Sequence, residues 1–531
     1  MLPTRVAIIG HFVAAPTAVP LQGDRRRAAA QVAISNYTHV VTGDGLLMDH
    51  VAWLKRERGI PASEVFSVWE MNLTSGLLLS SHLRRNSFPV KLVNFIDSDN
   101  IGRCFDEIDE FKPDVICVST TFVLTGPHLV AIGRQLRKRF PKAFLVAGGH
   151  YVATKIMYLD QAGAAAHLCE SDFDGFVVDV QGEDALLRLC QNYPSNLSAV
   201  ANLIWRSSNG TVTHNPRHVE ENDVNSTLIE FDSMNSGEVV HIRTARSCSF
   251  KCAFCSYPTI AGPLATMELD NVMATLRKAK AAGVSTIFFI DDTFNVPRPR
   301  FERLLDRMIA EDLCLPWYSF LRCQYVDEPL VAKMRRSGCT GVFLGVESGS
   351  DKILQNMKKG AIINFYHNGV RWLKEAGIIT VGAFIVGFPG ETTATVDETC
   401  KFIETFGLDF YFLQPFYYLH HTPIHERAEE FQLTGSALYW SHATMDSFEA
   451  QVHINRLFKD IKNSIFVNPD YTLWEIAYLL TKGMSIEEIK SYRRKINELT
   501  LSQMDTYGIA QSISIAEPIA LKSAGSTTSR R

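Results

Sequence analysis

Three cysteines on one short stretch are the residues whose type and spacing most directly indicate chemistry. Cys248, Cys252 and Cys255 stand in a C-x3-C-x2-C pattern, whereas the other cysteines are scattered along the chain. Thiolates bind zinc or iron–sulfur clusters. Two interpretations follow: a zinc site completed by a distant histidine or cysteine, or an iron–sulfur cluster in which one iron has no cysteine ligand. Such an open iron would be a place where a small molecule binds.

Three later segments favour the iron–sulfur interpretation. They are Phe289-Ile-Asp-Asp-Thr-Phe294, Leu344-Gly-Val-Glu-Ser-Gly-Ser-Asp351 and Gly387-Phe-Pro-Gly-Glu-Thr392. With Phe254 before the last cysteine, their order and spacing resemble the radical S-adenosylmethionine (radical SAM) superfamily. The resemblance implies that the three cysteines are catalytic and hold a four-iron, four-sulfur (4Fe-4S) cluster. It also implies that the open iron binds the amino and carboxylate groups of SAM, and that the cluster donates the electron for reductive cleavage of SAM.

The same resemblance assigns further cofactor-binding residues, which are Phe254, Asp291, Asp292, Arg322, Glu347, Ser348 and Gly387. It places the two aspartates near the amino group of SAM, Glu347 and Ser348 near the ribose and carboxylate, and the strand before Gly387 beside the adenine. Simpler roles stay open. Asp292 or Glu347 could only cap the helix that follows, and Gly387 could only shape a turn.

The first two hundred residues alternate short β-branched runs with helical stretches, which is typical of a parallel sheet covered on both faces. We predict strands at 5–10, 90–96, 114–119, 143–147 and 175–180, in a doubly wound, Rossmann-like domain over 1–194. Ligands of such sheets bind beyond the carboxyl ends of the strands. The residues at these ends are Ser119, Thr120, Gly148, Gly149, Gly182 and Glu183.

These strand ends, ahead of the cysteine loop, resemble the cobalamin-binding domain of class B radical methylases. The resemblance implies bound cobalamin, with Ser119 and Thr120 near the corrin and Gly148 and Gly149 beside the nucleotide tail. The D-x-H-x-x-G motif, which supplies an axial histidine in some cobalamin proteins, is absent from the sequence. Cobalt would then bind without a protein histidine. A domain that has lost cobalamin is the alternative.

The rest of the chain predicts three further regions and a tail. Residues 195–237 are rich in Asn, Ser, Thr and Pro, which predicts a linker, with a short hairpin signal at 202–213. A second series of strands is predicted at 239–244, 286–291, 317–323, 341–347, 381–387 and 408–416. They indicate a partial (β/α)6, TIM-like barrel over 238–430, with its active site at the carboxyl ends of the strands. We predict a helical region over 431–516 and a disordered tail over 517–531.

Aromatic residues and histidines are concentrated after the last barrel strand. The substrate-binding candidates among them are Tyr417, His420, His421 and His442. In one interpretation a histidine pairs with an anionic group of the substrate while tyrosines shape the pocket. In the other, this region is an aromatic junction between domains.

Composition limits the partners of the protein. The formal net charge is −4 and no long basic run occurs, so no nucleic-acid partner is predicted. Uninterrupted apolar stretches are too short to span a membrane. Scattered cysteines argue against a disulfide framework and favour the reducing cytosol. We therefore expect a cytoplasmic enzyme with a small-molecule substrate, and the resemblance implies a reducing electron donor such as flavodoxin or ferredoxin.

These inferences lead to one functional prediction with alternatives. The chain resembles cobalamin-dependent radical SAM methyltransferases that act on an unactivated carbon or phosphorus centre in natural-product biosynthesis, including the phosphinate P-methyltransferase type. On the same scaffold, the enzyme could instead transfer a 3-amino-3-carboxypropyl group from SAM or catalyse a rearrangement. An alternative of another class is an iron–sulfur electron-transfer or sensing module.

Overall fold

Strands and helices alternate along most of the chain. The computed structural model describes residues 3–13, 18–20, 37–61, 64, 66–123, 125–226, 228–231, 237–468 and 472–506. The predicted disordered tail, 517–531, lies outside these residues. No helix within the described ranges is long and apolar enough to cross a membrane.

The first part of the chain builds one large sheet and one small sheet with their helices. In chain order the elements are β1 (Val6–Phe12), β2 (Ala18–Pro20), β3 (His39–Val41), β4 (Leu46–Asp49), α1 (His50–Glu57), α2 (Thr74–Arg85), β5 (Val90–Ile96), α3 (Ile101–Phe111), β6 (Val115–Ser119), α4 (Gly126–Arg139), β7 (Phe144–Gly148), α5 (His150–Thr154), α6 (Gln161–Glu170), β8 (Gly175–Val177), α7 (Glu183–Asn192), β9 (Leu203–Arg206) and β10 (Val212–His214).

The large first sheet has the strand order β10-β9-β8-β7-β6-β1-β5. Its five predicted strands, β1 and β5 to β8, are parallel, and β5 has its predicted bounds. Every residue of β1 is buried, because helices cover both faces of the sheet. The chain passes from β1 to β5 on one side and then to β6 on the other. The carboxyl ends of β1 and β6 therefore flank a topological switch point, where doubly wound sheets bind ligands.

The structure differs from the predicted linker 195–237 over residues 203–214. There β9 and β10 form an antiparallel hairpin, and β9 pairs with β8 at the edge of the first sheet. Leu203 and Ile204 are buried in this arrangement. The hairpin is part of the sheet because these apolar side chains pack against it rather than facing water.

The second part of the chain builds another large sheet. Its elements are β11 (Val239–Ile242), β12 (Ala245–Arg246), α8 (Tyr257–Ala261), β13 (Ala265–Thr266), α9 (Leu269–Ala281), β14 (Thr286–Phe289), α10 (Arg298–Ala310), β15 (Trp317–Leu321), α11 (Glu328–Arg336), β16 (Cys339–Glu347), α12 (Asp351–Asn356), α13 (Ile363–Glu375), β17 (Ile379–Val386), α14 (Thr393–Phe406), β18 (Phe410–Pro415), α15 (Ala428–Phe431), β19 (Thr434–Ser436), β20 (Tyr439–His442), β21 (Met445–Asp446), α16 (Ser447–Asp460), β22 (Ile465–Phe466), α17 (Thr472–Thr481) and α18 (Ile486–Thr506).

The second sheet has the order β11-β14-β15-β16-β17-β18-β22, with all neighbours parallel. The six predicted barrel strands are present, and β11 and β22 are its two edges, so the barrel is partial. β22 adds a seventh strand within the region predicted to be helical. Its two buried residues pair with β18, and such a short strand has no periodicity that a sequence can show.

The two faces of the second sheet are covered differently. One face packs against α9 to α14 and α16. The other packs against a core formed by residues between 40 and 71 together with α17 and α18. Asn72 also bridges the free edge of β11 through backbone hydrogen bonds with Val239 and His241, each 3.2 Å long. The first part of the chain therefore closes one face and one edge of the barrel sheet.

Candidate active site

The cysteine loop follows β12 at the carboxyl end of the first barrel strand. Asp291 fixes the start of this loop, because its carboxylate accepts hydrogen bonds from the Thr244 amide at 2.6 Å, the Thr244 hydroxyl at 2.5 Å and the Ala245 amide at 3.0 Å. Burial raises the pKa of Asp291. Further along, the Ala253 amide donates to the Met357 carbonyl at 2.7 Å. The loop is therefore held from two sides by its backbone.

The three thiols fit a 4Fe-4S cluster as a donor set. All three are free, and Cys252 is buried. Burial, with a smaller effect from the other two sulfurs and Asp292, raises the pKa of the Cys255 thiol to about 11. Within the described ranges, no group of three or more His, Cys, Asp and Glu side chains is arranged to hold a single metal ion. A four-iron cluster does not require such a group, because each of its thiolates binds a different iron.

Arg322 lies against this loop at the end of β15. Its Nη2 donates to the Sγ of Cys252 at 2.9 Å, and its Nη1 donates to the Lys359 carbonyl at 2.9 Å. The guanidinium carbon stands 3.6 Å from the centre of the Phe250 ring. Asn295 clamps the backbone of Arg322 through its side chain, with hydrogen bonds of 2.9 and 3.1 Å. Arg322 thus contacts a predicted cluster ligand directly.

Glu347 and Ser348 stand at the end of β16, where the pairing with β17 is irregular. Glu347 has a φ of 70°, and its carboxylate pairs with the Lys359 ammonium at 2.6 Å. An added Cβ at Gly345 would lie 2.6 Å from that carboxylate, so a side chain there would displace the end of the Glu347 side chain. Ser348 Oγ lies 3.4 Å from the Thr399 hydroxyl. Glu347 does not cap α12, because Ser350 stands at its N-cap.

Asp292 differs from its neighbour Asp291. Solvent reaches its side chain although protein surrounds it on most sides, which places it in a cleft. Burial, followed by the nearby charge of Asp291, raises the pKa of Asp292 to about 7. Helix α10 is capped by Pro297, so Asp292 does not cap it. Asp292 is therefore the accessible carboxylate of the pair, whereas the carboxylate of Asp291 is occupied by hydrogen bonds from Thr244 and Ala245.

Gly387 has a structural reason to be glycine. Its φ is 90°, and an added Cβ would lie 2.3 Å from the Trp440 ring. Its amide donates to Glu391 at 2.5 Å, and its carbonyl lies 3.2 Å from His442 Nε2. The other ring nitrogen of His442 accepts the Thr444 amide at 3.3 Å. Both nitrogens of His442 are thus engaged by the backbone, and its substrate role stays a prediction.

The other substrate candidates separate into two groups. His420 lies 2.9 Å from the Gly435 carbonyl and so is bonded within its own loop. Tyr417 and His421 instead face the first part of the chain: the Tyr417 hydroxyl is 3.5 Å from the Lys155 ammonium, and the His421 ring stacks on Tyr158 with centres 5.4 Å apart. These contacts make the segment a junction between the two large sheets.

The candidate cofactor residues of the first sheet lie along its carboxyl edge. Ser119 Oγ is 3.0 Å from the Thr121 hydroxyl, and Thr120 donates through its amide and hydroxyl to the Gly148 carbonyl. Gly149 has a φ of 107°, and a Cβ there would lie 3.2 Å from the Thr120 amide. Backbone of β6 and β7 therefore meets very closely at this edge.

The far end of this edge contacts the barrel. Gly182, with a φ of 78°, precedes α7, and the buried Glu183 in the first turn of α7 pairs with Arg243 at 3.7 Å. Arg246, two residues before Cys248, donates to the Gln181 side chain at 2.6 Å. Beside this contact lies a cavity of about 710 Å³, lined by Met157, Tyr158, Arg217, Arg246 and residues 179–181, 219–225 and 259–266.

The sequence analysis missed three residues of this site. Lys359 and Gln181 lie outside every motif, and only the fold brings them to Glu347 and Arg246. Arg246 stands immediately before the cysteine motif, and that position was a signal that could have identified it.

Known proteins resemble the chain over these same elements. Residues 242–403 match the family described as the Radical SAM superfamily. An uncharacterized methyltransferase of Pyrococcus horikoshii is 26% identical over 349 residues, which are 63% of this chain and 74% of that protein.

Two solved structures share the fold. The radical SAM methyltransferase TsrM of Kitasatospora setae, with tryptophan and a SAM analogue bound, has a TM-score of 0.61 at 15% identity and covers 81% of this chain and 96% of its own. The cobalamin-dependent SAM radical enzyme OxsB, with aqua-cobalamin bound, has a TM-score of 0.54 at 15% identity and covers 82% of this chain and 78% of its own. The three-cysteine loop lies inside the segment that matches the family, so this chain carries a radical SAM domain at 242–403 and is an enzyme with a 4Fe-4S cluster and SAM as its cofactors.

Proposed function

We propose that this radical SAM enzyme is a cobalamin-dependent methyltransferase that acts on a small molecule. The observation that carries the proposal is the contact between the carboxyl edge of the first sheet and the cysteine loop of the second. Arg246 makes this contact through Gln181, and the cavity of about 710 Å³ lies beside it. A cofactor bound along that edge would therefore lie next to the cluster.

The switch point of the first sheet fits cobalamin. Gly149 brings backbone close to Thr120 with no side chain in the way. His11, at the end of β1, is buried among Trp69, Phe95 and Phe122, and its Nδ1 has no hydrogen-bond partner in the described part of the chain. Burial lowers the pKa of His11 to about 3, so its ring is neutral. Trp69 and Phe122 are partly exposed beside His11, and an apolar surface with a few polar groups suits a large, mostly apolar ring.

Each cofactor has candidate residues in this chain. Cys248, Cys252 and Cys255 would hold the cluster, which supplies the electron that cleaves SAM. Cobalamin would lie along the edge formed by Ser119, Thr120, Gly148, Gly149, Gly182 and Glu183, and when bound it supplies a carrier for the methyl group. The protein's part is to orient these groups and exclude water.

The SAM site would be formed on the barrel side. Asp292 is the accessible carboxylate that would bind the SAM ammonium group. Glu347 would reach the ribose or carboxylate while paired with Lys359, and Ser348 lies beside it. Phe254 would pack at the edge of this site, where its ring lies 5.6 Å from the Lys359 ammonium.

For the substrate we propose an unactivated carbon or phosphorus centre on an anionic small molecule, as in natural-product biosynthesis. Tyr417 is 41% exposed beside Lys155, at the junction of the two sheets. The Lys155 ammonium and the His421 ring could bind an anionic group of the substrate. His420 and His442 contribute less, because one ring nitrogen of each bonds to a backbone carbonyl.

The test is a product analysis of the full chain, purified anaerobically with iron and cobalamin and incubated with SAM and a reductant. A methyltransferase of this class yields both 5′-deoxyadenosine and S-adenosylhomocysteine, and Cys252→Ala loses both. 5′-Deoxyadenosine without S-adenosylhomocysteine would argue against methyl transfer through cobalamin. Methylthioadenosine would indicate aminocarboxypropyl transfer, and no cleavage of SAM with any candidate substrate would favour an electron carrier.

Two further assignments are proposals as well. We propose that the domains extend over 1–194, 238–430 and 431–516, with the hairpin 203–214 joined to the first. We also propose that a small reducing protein such as flavodoxin or ferredoxin delivers the electron to the cluster. Reduction of the cluster by purified flavodoxin, followed by electron paramagnetic resonance, would test the second assignment.

A further inference from the structure

Arg322 is a buried cation without a carboxylate partner. Only 5% of the residue is exposed. In the described part of the chain, its side chain bonds to the Lys359 carbonyl and the Cys252 sulfur and stacks on Phe250, and no carboxylate forms an ion pair with it. Buried charges are normally paired or bound to a metal centre. The Cys252 sulfur is therefore the partner from which a negative charge has to come.

The charges around Arg322 also indicate that its negative partner has to come from the cluster. The nearby buried carboxylate of Glu347 is already bonded to the ammonium of Lys359 at 2.6 Å, and that ammonium is buried too. Of the two buried cations next to the cysteine loop, Lys359 therefore pairs with the Glu347 carboxylate, and Arg322 has no ion pair among the described residues. An iron–sulfur cluster held by three thiolates is anionic, and it becomes more so when it takes up an electron.

We propose that Arg322 is a positioning residue that supplies the positive charge facing the Cys252 ligand and thereby raises the reduction potential of the cluster. A cation that donates to a ligand sulfur stabilises the reduced, more negative form over the oxidised form. The clamp on the Arg322 backbone by Asn295 and the Phe250 ring hold the guanidinium in place independently of the sulfur.

The geometry favours this role over binding of the SAM carboxylate. Both terminal nitrogens of Arg322 already donate to protein atoms, and little of the side chain is accessible. The inference rests on the cluster of the proposed function, and on neither cobalamin nor methyl transfer. A wild-type protein that binds a cluster without transferring a methyl group would still test it.

The experiment is a redox titration of the reconstituted full chain without SAM, followed by electron paramagnetic resonance, with iron and sulfide content measured in parallel. At the potential where the wild-type cluster is half reduced, Arg322→Gln should have on the order of tenfold less reduced than oxidised cluster. Arg322→Lys, which keeps the charge, should titrate close to wild type.

Arg427→Gln is the matched control. Arg427 also stacks on a phenylalanine, Phe431, and donates to a backbone carbonyl, that of Asn356, but it pairs with the carboxylate of Glu430 and bonds to no cysteine of the described residues. Its titration should equal that of wild type.

Each of the remaining outcomes supports or overturns the proposed role of Arg322. An unchanged potential in Arg322→Gln at full cluster content overturns the proposal, and weaker SAM binding with an unchanged potential would assign Arg322 to SAM instead. If the glutamine variant loses the cluster, the lysine variant decides: retention of the cluster supports the charge, whereas loss in both variants shows that Arg322 only packs.

Discussion

Two buried arginines in different regions of the molecule differ in the partners of their guanidinium groups. Arg493, in α18, is 1% exposed and pairs with the equally buried Glu475 of α17, while its Nη1 lies 3.1 Å from the Nδ1 of His50. Burial and the charge of Arg493 lower the pKa of His50, so that ring is a neutral acceptor. Arg322 is nearly as buried but bonds to a thiol and a carbonyl. The charge of Arg493 is therefore balanced by a carboxylate of the protein. The charge of Arg322 is balanced only when the anionic cluster is bound.

The largest expected effect is the loss of folding stability when the buried pair of Arg493 and Glu475 is broken. Glu475→Gln leaves Arg493 as a buried charge without its partner, and we expect it to destabilise the protein by about 3–5 kcal/mol. Denaturant unfolding measures this loss. Glu487→Gln, which removes an exposed partner of Lys490, is the control and should cost at most about 1 kcal/mol. Similar losses in both variants would contradict the importance of the buried pair.

A second prediction compares the arginines directly, through the gain in Tm that cluster loading brings. Arg322→Met should reduce this gain, because the variant loses a charged hydrogen bond to a ligand sulfur that contributes about 1.5–3 kcal/mol. Arg493→Met should lower the Tm of the loaded and cluster-free proteins equally, because its partners do not depend on the cluster. The comparison fails if both variants change the gain alike.

A third prediction concerns a buried carboxyl group, Glu391, that stays protonated and therefore uncharged in the folded protein. Glu391 is 1% exposed and forms no ion pair with a cation of the described residues, and burial raises its pKa to about 8 despite hydrogen bonds from the Gly387 and Phe388 amides. Between about 4.5 and 8 the unfolded chain releases this proton and the folded protein keeps it. Folding stability therefore falls as pH rises through this window, by about 1.4 kcal/mol per pH unit.

Glu391→Gln should remove this part of the pH dependence. Unfolding by urea at pH 6, 7 and 8 measures it. A variant that keeps the full wild-type slope would show that Glu391 is ionised in the folded protein.

The smallest expected effect concerns Asp292, the carboxylate that solvent reaches. Its pKa of about 7 means that it gains its charge near neutral pH. If it binds the SAM ammonium group, SAM affinity should rise severalfold from pH 6 to pH 8, with at most a tenfold change per unit. Anaerobic calorimetry measures the affinity, and Asp292→Asn should show weak binding with little pH dependence. Equal pH profiles in both proteins would remove Asp292 from the SAM site.

Much of the architecture was predictable because its signals are local. Runs of β-branched residues predicted eleven of the strands in the two large sheets to within a few residues, since buried parallel strands need continuous apolar stretches. Residues 203–214 and β22 were not assigned to sheets. Their short segments gain stability only from the edge strands that they pair with, and such partners are not visible in sequence.

In the candidate site, too, some features were predictable from local sequence and others were not. The spacing of Cys248, Cys252 and Cys255 already indicated a zinc or iron–sulfur site, because thiolates close together in sequence need no tertiary structure to be recognised as a ligand set. The later motifs then favoured the cluster through their resemblance to the radical SAM superfamily. The different environments of Asp291 and Asp292 were not predictable, although the two are adjacent in sequence. One bonds to the backbone of the loop and the other opens into a cleft.

The sequence by itself predicted a thiolate metal site on the cysteine loop and the order of the two α/β units, since both depend on residue type and short-range periodicity. Only the tertiary structure decided which charges are satisfied. Arg322, Lys359 and Glu347 come from three separate segments, and whether each one finds a partner depends on distances of a few ångströms across the barrel. Electrostatic energies change steeply over such distances in a buried site, so only the folded protein defines them.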